Sequence, residues 1–441
     1  MLGQLAATRI RLKDSVLARR FLGGAAWSGI GAVVSSGISL LSMMLVARLL
    51  GKETFGQFVV VQSTLGMMGV FAGLGIGATA TRYVAELRLR DAARLSRILA
   101  LTEYVELISG ALVTVVLAAL SDWIAQHLLH TAELATPMKI AALSVFFSAQ
   151  DAYQKSILIG LEAMRSFAIG TIISALSSVP VMLLAAHWYG LNGAAWAMGL
   201  VSLLQAAISR VQMSRQLKQA GIARNPDQCW KEWPVLRDFA LPALLGGLLT
   251  VPPNWACQAI LANTPQGYAE VALLGVAMQW FNAVTFLLAI AGRVVLPILT
   301  ERLAAGSKQQ AAKVLKLAIA CNLAVALPVT AGIILASHWI LAAYGAQFAE
   351  GWKALDVAAL VAILVVGVAP VGHVMAAANR MWVGMPPHLF WTLTYLCAAW
   401  YWAQYGAVGI ISAMGLAHLL HSIWVVWYSI RHIGDLDAGA R

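Results

Sequence analysis

Long apolar stretches, each of about twenty residues, alternate with short polar segments along the whole chain. A helix of that length crosses the roughly 30 Å hydrocarbon core of a membrane, where irregular backbone cannot face lipid because its polar groups would lack partners. The pattern therefore predicts an all-α membrane protein with twelve transmembrane helices. We place these spans at 21–47, 56–79, 97–120, 138–160, 166–187, 191–212, 238–261, 268–292, 312–336, 354–378, 383–402 and 406–430.

The composition agrees with this prediction. The 441 residues are 60% hydrophobic and 11% charged, whereas a soluble domain is roughly a quarter charged. We attribute the net charge of +11 to membrane-flanking loops, because the chain contains no RNA- or DNA-binding motif, and we expect no nucleic-acid partner. The four cysteines lie far apart and form no CxxC pair or disulfide framework.

The distribution of Lys and Arg predicts the orientation in the membrane. With the N-terminus in the cytoplasm, only Arg48, Lys52, Lys139 and Lys353 fall at the outer side, and the other Lys and Arg residues lie in or beside inner segments. This asymmetry follows the positive-inside rule. With twelve spans it predicts a multi-pass protein of the bacterial inner membrane with both termini in the cytoplasm. The basic N-terminus precedes an apolar run too long for a signal-peptide core, so we interpret that run as the first span.

The chain divides into two similar halves. A polar, basic connection at 213–237 separates an N-terminal six-helix bundle, 1–212, from a C-terminal bundle, 238–441. A shift of 211 residues aligns "GATATRYVAELRLRDAARLSRIL" with "AIAGRVVLPILTERLAAGSKQQAAKVL" and places Arg82 on Arg293. Because each half has six spans, both enter the membrane in the same sense, as in transporters built from parallel repeats.

Three segments resemble a known family: "ARLLGKETFGQF" at 47–58, "GIGATATRYVAE" at 75–86 and "LAAYGAQFAEGWKAL" at 341–355. They are similar to those of the polysaccharide transporter (Wzx-type O-antigen flippase) family, within the multidrug/oligosaccharidyl-lipid/polysaccharide exporter superfamily. The resemblance implies two six-helix bundles around a central cavity. It also implies translocation of an undecaprenyl-diphosphate-linked oligosaccharide across the inner membrane.

Arg82 and Arg293 are the first candidates for substrate binding. Both follow an apolar span at the corresponding place in each half. Guanidinium remains charged when partly buried and can bind diphosphate oxygens bidentately. The alternative is that both are flanking charges whose side chains extend to the headgroups.

Four charged side chains fall inside the third and fourth spans. Glu103 and Glu106 share one helical face, and we consider them candidate proton or sodium sites that power transport. The alternative is a structural ion pair, with Glu103 bound to Arg97 or Arg82. Asp151 and Lys155 are spaced i, i+4, which permits either an internal salt bridge or a polar cavity wall that contacts substrate.

Amide and indole side chains form a third group of substrate-binding candidates. Asn254 and Gln258 follow "VPP" in the seventh span, where the prolines break the backbone hydrogen bonds. Broken helices often line transport sites. Gln279, Trp280 and Asn282 lie in the eighth span, where amide and indole groups suit sugar binding but are also compatible with packing.

The sequence contains no motif for bond-making chemistry. It lacks a P-loop, HExxH and GxSxG, and "GLGIG" at 73–77 lies in a membrane span rather than after a strand. His418 and His421 are spaced i, i+3, which we interpret as helix packing rather than metal binding. We therefore expect no enzyme, metal or cofactor.

These observations favour a flippase for lipid-linked oligosaccharide that works by alternating access. The predicted partners are the lipid-linked oligosaccharide and the surrounding membrane lipids. A polysaccharide polymerase and assembly proteins are further candidate partners. A cation-coupled multidrug exporter, in which Glu103, Glu106 or Asp151 is essential, is the first alternative. A non-transporting scaffold for polysaccharide assembly is the second.

Overall fold

The computed structural model describes residues 27, 29–223, 227–304, 308–377 and 385–432. Within these ranges the backbone alone is described for 286–304, 308–312, 372–377 and 428–432. The described chain is helical and contains no β-strand. We number its long helices in chain order: α1 (Gly29–Leu50), α2 (Lys52–Gly73), α3 (Ile76–Leu87), α4 (Ala92–Trp123), α5 (Ala135–Gly160), α6 (164–189), α7 (191–219), α8 (Leu241–Leu248), α9 (Val251–Ala262), α10 (Gly267–Ala304), α11 (Lys308–Tyr344), α12 (Trp352–Ala377), α13 (Met385–Trp402) and α14 (Gly406–His432).

These helices confirm the predicted spans. Eight stretches of the described chain are long and apolar enough to cross a membrane, and two of them, Met164–Gln219 and Met385–Trp427, each contain two spans, which gives ten. The other two predicted spans, the fourth and the eighth, coincide with the helices α5 and α10. The stretch Met164–Gln219 bends at Gly190, whose φ of 55° is left-handed. Glycine adopts this conformation without the steric penalty that a Cβ would bring, so α6 and α7 form separate spans.

Two spans consist of two helices each. The second span breaks between α2 and α3, where Leu74 has a φ of 44° and Gly75 a φ of 71°. The seventh span breaks between α8 and α9, immediately before Pro252 and Pro253. Proline cannot donate the backbone hydrogen bond that would continue α8, so the break predicted from "VPP" is confirmed.

The first six spans form an N-lobe (α1–α7), and the last six form a C-lobe (α8–α14). Their packing is closest toward the predicted outer ends of α2 and α10. Phe55 on α2 packs edge-on against Phe348 of the C-lobe at a ring-centroid distance of 6.0 Å, and both are fully buried. Beside them Gly56 lies against the backbone carbonyl of Tyr268, where a Cβ would come within 1.7 Å of the oxygen. Only glycine permits this approach.

Several hydrogen bonds between the lobes lie along the same outer edge, and a further one joins Trp255 Nε1 to Thr64 Oγ1 midway along α2. Arg48 Nε donates to the carbonyl of Ala343 at 2.5 Å, and the backbone amide of Lys52 donates to Gln347 Oε1 at 3.2 Å. Two further bonds of this kind run from Asn263 Nδ2 to the Leu128 carbonyl and from the Tyr268 hydroxyl to the Leu129 carbonyl. The contacts along the outer edge define an outer seam, and the structure therefore has the predicted outer end of the lobe interface closed.

Replacing Gly56 with valine should destabilise this closed form. The added Cβ would overlap the Tyr268 carbonyl, and overpacking of this kind costs roughly 1–3 kcal/mol. We expect the purified Gly56→Val variant to have a lower melting temperature than the wild type. Gly66→Val is the matched control, because Gly66 lies on the same helix with open space around it. Equal melting temperatures for the two variants would contradict the role assigned to the seam.

Candidate functional site

Arg82 lies in the middle of α3, just beyond the predicted inner end of the second span, and next to the segment that leads into the C-lobe. Its guanidinium is 4.8 Å from the ring centroid of Phe239 and 3.9 Å from the Glu86 carboxylate. More than half of the Arg82 side chain is exposed, so an anionic group can reach it. Arg293 lies within α10, but its side chain is outside the described residues.

The connection between the lobes is bound to the N-lobe. Glu232 is buried and accepts hydrogen bonds from Arg94 Nε and Arg97 Nη2, each at 3.0 Å. Ser96 Oγ donates to the Ala223 carbonyl at 2.6 Å, which fixes an earlier part of the same connection. Arg97, one of the two partners expected for Glu103, is thus engaged with the connection.

The charged residues of the third and fourth spans meet α7 inside the N-lobe. Glu103 binds the guanidinium of Arg210 on α7. Lys155 Nζ donates to Asp151 Oδ2 at 2.6 Å, and Ser209 Oγ donates to Asp151 Oδ1 at 2.6 Å. Asp151 is therefore held by two partners in an internal network, the geometry of the salt-bridge alternative.

Glu106 contrasts with this paired network. It is 1% exposed, and neither carboxylate oxygen has a hydrogen-bond partner among the residues that the structure describes. Gln150 Nε2 and Gln154 Oε1 on the neighbouring helix α5 are also buried without a partner. An ionised carboxylate without a partner is very costly to bury, and protonation removes most of that cost. The geometry therefore favours a neutral Glu106 in this conformation.

The C-lobe contains a cavity of about 440 Å³ beside the break between α8 and α9. We call it the C-lobe cavity. Three of the predicted site residues, Asn254, Gln258 and Asn282, line it. The remaining lining residues are Thr250, Leu274, Met278, Phe281, His388, Trp391, Tyr395, Met414, His418 and His421.

Two other candidates of the eighth span lie away from this cavity. Gln279 Oε1 accepts a hydrogen bond from the Tyr344 hydroxyl at 3.1 Å, and Trp280 packs against the main hydrophobic core. The predicted grouping of Gln279, Trp280 and Asn282 is therefore divided. Trp280 and Asn282 lie about 160° apart around the helix and cannot face one site. Gln279 and Asn282 lie only about 60° apart, so the contact with Tyr344 rather than helical periodicity separates them.

Sequence reasoning did not identify the residues that α13 and α14 contribute to the cavity. His388, Trp391 and Tyr395 are spaced i, i+3, i+7, so they share one face of α13. His418 and His421, interpreted as packing residues, face the same space from α14. The regular spacing of these polar and aromatic residues within two apolar spans is visible in the sequence. The sequence does not show, however, that the two helix faces line the same cavity.

Comparison with known proteins now identifies the family. Residues 21–303 match the family described as "Polysaccharide biosynthesis protein". The chain belongs to this family. Its relatives include the EPS I polysaccharide export inner membrane protein EpsE of Ralstonia nicotianae, 27% identical over 414 residues, which cover 88% of this chain and 89% of that protein. EpsE of Ralstonia solanacearum is 25% identical over 430 residues, 94% of each chain.

Solved structures share the fold of this family member at low sequence identity. An inward-facing multidrug resistance transporter of the MATE family, in the MOP superfamily, superposes with a TM-score of 0.76 at 14% identity, over 92% of this chain and 96% of that one. The lipid II flippase MurJ in an inward closed conformation gives 0.71 at 14% identity, over 93% and 89%. The resemblance inferred from sequence and the two-lobe, twelve-helix fold are confirmed.

Removing the charge of Glu232 should release the connection from the N-lobe. The Glu232→Gln variant leaves Arg94 and Arg97 without their shared carboxylate. We expect faster hydrogen exchange at the backbone amides of the connection, measured by mass spectrometry on the purified protein. Asp238→Asn is the control, because its pair with Arg237 is more than half exposed and such pairs contribute about 0–1 kcal/mol. Similar exchange in both variants would refute the anchoring role.

Proposed function

We propose that this chain is an inner-membrane flippase that translocates an undecaprenyl-diphosphate-linked oligosaccharide for surface polysaccharide or exopolysaccharide synthesis. Membership of the polysaccharide biosynthesis family carries the proposal. The EpsE relatives are named polysaccharide export inner membrane proteins, and MurJ, which shares the fold, is named a lipid II flippase. A polysaccharide polymerase and assembly proteins are the partners that this function implies.

The headgroup would enter from the predicted cytoplasmic side. Arg82 supports this step because it is exposed on α3, just beyond the predicted inner end of the second span, where a diphosphate can reach its guanidinium without breaking a strong ion pair. Glu86 is its acidic neighbour, and exposed pairs at such a distance contribute little. Arg293 occupies the corresponding position of the second half and is the proposed second contact.

Alternating access requires the two lobes to rock about the substrate. The bundles 1–212 and 238–441 are the proposed moving bodies, with 213–237 as their connection. The outer seam at Phe55 and Phe348 supports a conformation closed toward the outside. Opening it would release the glycan outward while the prenyl chain remains in lipid.

The Arg82→Ala, Arg293→Ala double variant tests the headgroup role. Lipid-linked oligosaccharide isolated from cells that lack the transporter would be placed with purified protein in liposomes, and translocated glycan would be measured by lectin binding. A charge-assisted hydrogen bond contributes about 1.5–3 kcal/mol, so we expect translocation to slow roughly tenfold or more. Arg82→Lys should lose part of this rate, because ammonium cannot bind bidentately.

Arg90→Ala provides the matched control. Arg90 is exposed in the turn between α3 and α4, eight residues after Arg82. It carries the same charge, so its removal tests the general effect of losing a basic residue on this side. Normal translocation by the double variant, or an equal loss in Arg90→Ala, would show that Arg82 and Arg293 do not bind the headgroup.

A cation-coupled multidrug exporter is the second candidate, and Glu106 favours cation coupling. A fully buried carboxyl with no partner on either oxygen can bind and release a proton as its surroundings change. Glu103 was proposed with it, but its bond to Arg210 ties its charge to the helix packing. Glu106 is therefore the stronger candidate for coupling in either type of exporter.

The Glu106→Gln variant separates coupling from folding. Glutamine matches the shape of a neutral glutamate, so we expect a nearly unchanged melting temperature and a loss of stimulation by a pH gradient in liposomes. Glu86→Gln, at an exposed position of α3, is the control. Retained stimulation in Glu106→Gln would remove Glu106 from the coupling mechanism. Drug susceptibility of a deletion strain then distinguishes a flippase from a multidrug exporter. Only the loss of a multidrug exporter would make the strain more sensitive to drugs.

A further inference from the structure

The C-lobe cavity contains buried polar atoms that the protein leaves without partners. Trp391 is 6% exposed, and its indole Nε1 has no hydrogen-bond partner within the described part of the chain. Gln258 Oε1 and His421 Nε2 are in the same condition on two other helices. A buried polar atom without a partner is unfavourable for the fold. The three atoms belong to residues that line one cavity, so a group bound there could supply the missing hydrogen bonds after small rotations of these side chains.

The side chains that line the C-lobe cavity favour an uncharged ligand. Among the residues whose side chains the structure describes, the cavity lining includes no Asp, Glu, Lys or Arg, and its titratable groups are Tyr395 and the imidazoles of His388, His418 and His421. Described lining residues of α9 and α10 are amide, hydroxyl or apolar. A charged ligand would lose its hydration without gaining a counter-charge. The ligand must instead both donate and accept, because the unpaired atoms include an indole donor and an amide acceptor.

Aromatic and apolar surfaces complete the cavity. The Trp391 ring lies 5.4 Å from Tyr395 and 5.2 Å from His418, and Phe281 forms part of the α10 wall. A pyranose ring has apolar C–H groups on its faces and hydroxyls around its edge, which matches rings combined with amides. The volume of about 440 Å³ is at the lower end of the range for small-molecule sites, roughly 300–1,000 Å³.

We propose that the C-lobe cavity binds a neutral sugar unit of the transported glycan, with Trp391, Gln258 and His421 as hydrogen-bonding contacts. The inference rests on the proposed function for the identity of the glycan. It separates recognition into two places: Arg82 contacts the diphosphate at the inner edge, and the C-lobe cavity contacts uncharged sugar.

The position of the cavity links sugar binding to the lobe interface. Asn254 and Gln258 lie on α9, directly after the break in the seventh span. On the other side of the break α8 packs against the N-lobe, where a Cβ on Gly247 would contact Val70 at 3.0 Å. A ligand that binds to residues of α9 therefore contacts one helix of the pair α8 and α9, and this pair contacts both lobes.

Trp391→Phe tests the proposal with little change in the protein itself. The variant retains an aromatic ring but removes an N–H that has no protein partner, so we expect no loss of melting temperature. Loss of a neutral hydrogen bond costs about 0.5–1.5 kcal/mol, so the KM for lipid-linked oligosaccharide should rise roughly three- to tenfold. His421→Phe should act in the same direction. Trp339→Phe, at an exposed tryptophan of α11, is the matched control.

Direct binding provides the second measurement. Mild acid would release the oligosaccharide from its lipid carrier. The lipid-free oligosaccharide would then be titrated into the purified full-length protein, and the heat of binding would be measured by calorimetry. We expect the Kd to weaken in Trp391→Phe and His421→Phe by the same factor as the KM. Neutral fragments should compete better than fragments that carry a uronic acid, because the cavity has no cationic lining.

The outcomes separate this inference from the proposed function. Normal transport with unchanged KM and Kd in both variants would overturn the sugar site and leave the flippase function intact. Loss of pH-gradient stimulation in His421→Phe at constant saccharide KM would also overturn it, since the cavity would then be a proton site. If the wild type translocates no lipid-linked glycan but binds lipid-free oligosaccharide through Trp391, the flippase proposal fails and the sugar site stands.

Discussion

The hydrocarbon core of the membrane offers no hydrogen-bond partners, and this constraint accounts for most of the structure. It requires the spans to be helical and requires polar side chains inside them to find partners within the protein. Asp151 meets this requirement with Lys155 and Ser209, and Glu103 does so with Arg210. Groups that remain unpaired in such surroundings are therefore informative about function.

Unpaired groups occur in both lobes, but their surroundings differ. In the N-lobe Glu106 is an isolated carboxyl beside a charged network, which suits a proton. In the C-lobe Trp391, Gln258 and His421 face a cavity with neutral lining, which suits a polar uncharged ligand. Each lobe also contains an unpaired group of the other kind, Gln150 in the N-lobe and Asp356 Oδ1 in the C-lobe, so the cavity rather than the unpaired groups alone distinguishes the C-lobe.

Two of the three segments that carry the family resemblance, 47–58 and 341–355, meet at the outer seam. "ARLLGKETFGQF" contributes Arg48 and Phe55, and "LAAYGAQFAEGWKAL" contributes Gln347 and Phe348. These residues close one end of the lobe interface and do not line the C-lobe cavity. In this chain these two segments therefore hold the lobes together and do not contribute to the C-lobe cavity.

The sequence alone determined the twelve spans and the break at Pro252 and Pro253, because both depend on local physics: the length of an apolar helix and the missing proline N–H. Tertiary structure decided which polar residues share a site. Asn254 and Asn282 joined one cavity, whereas Gln279 turned toward Tyr344. The partners of Glu103 and Arg97 are more than 100 residues away in the chain. Helical periodicity states which residues share a face, but only packing decides which face each one meets.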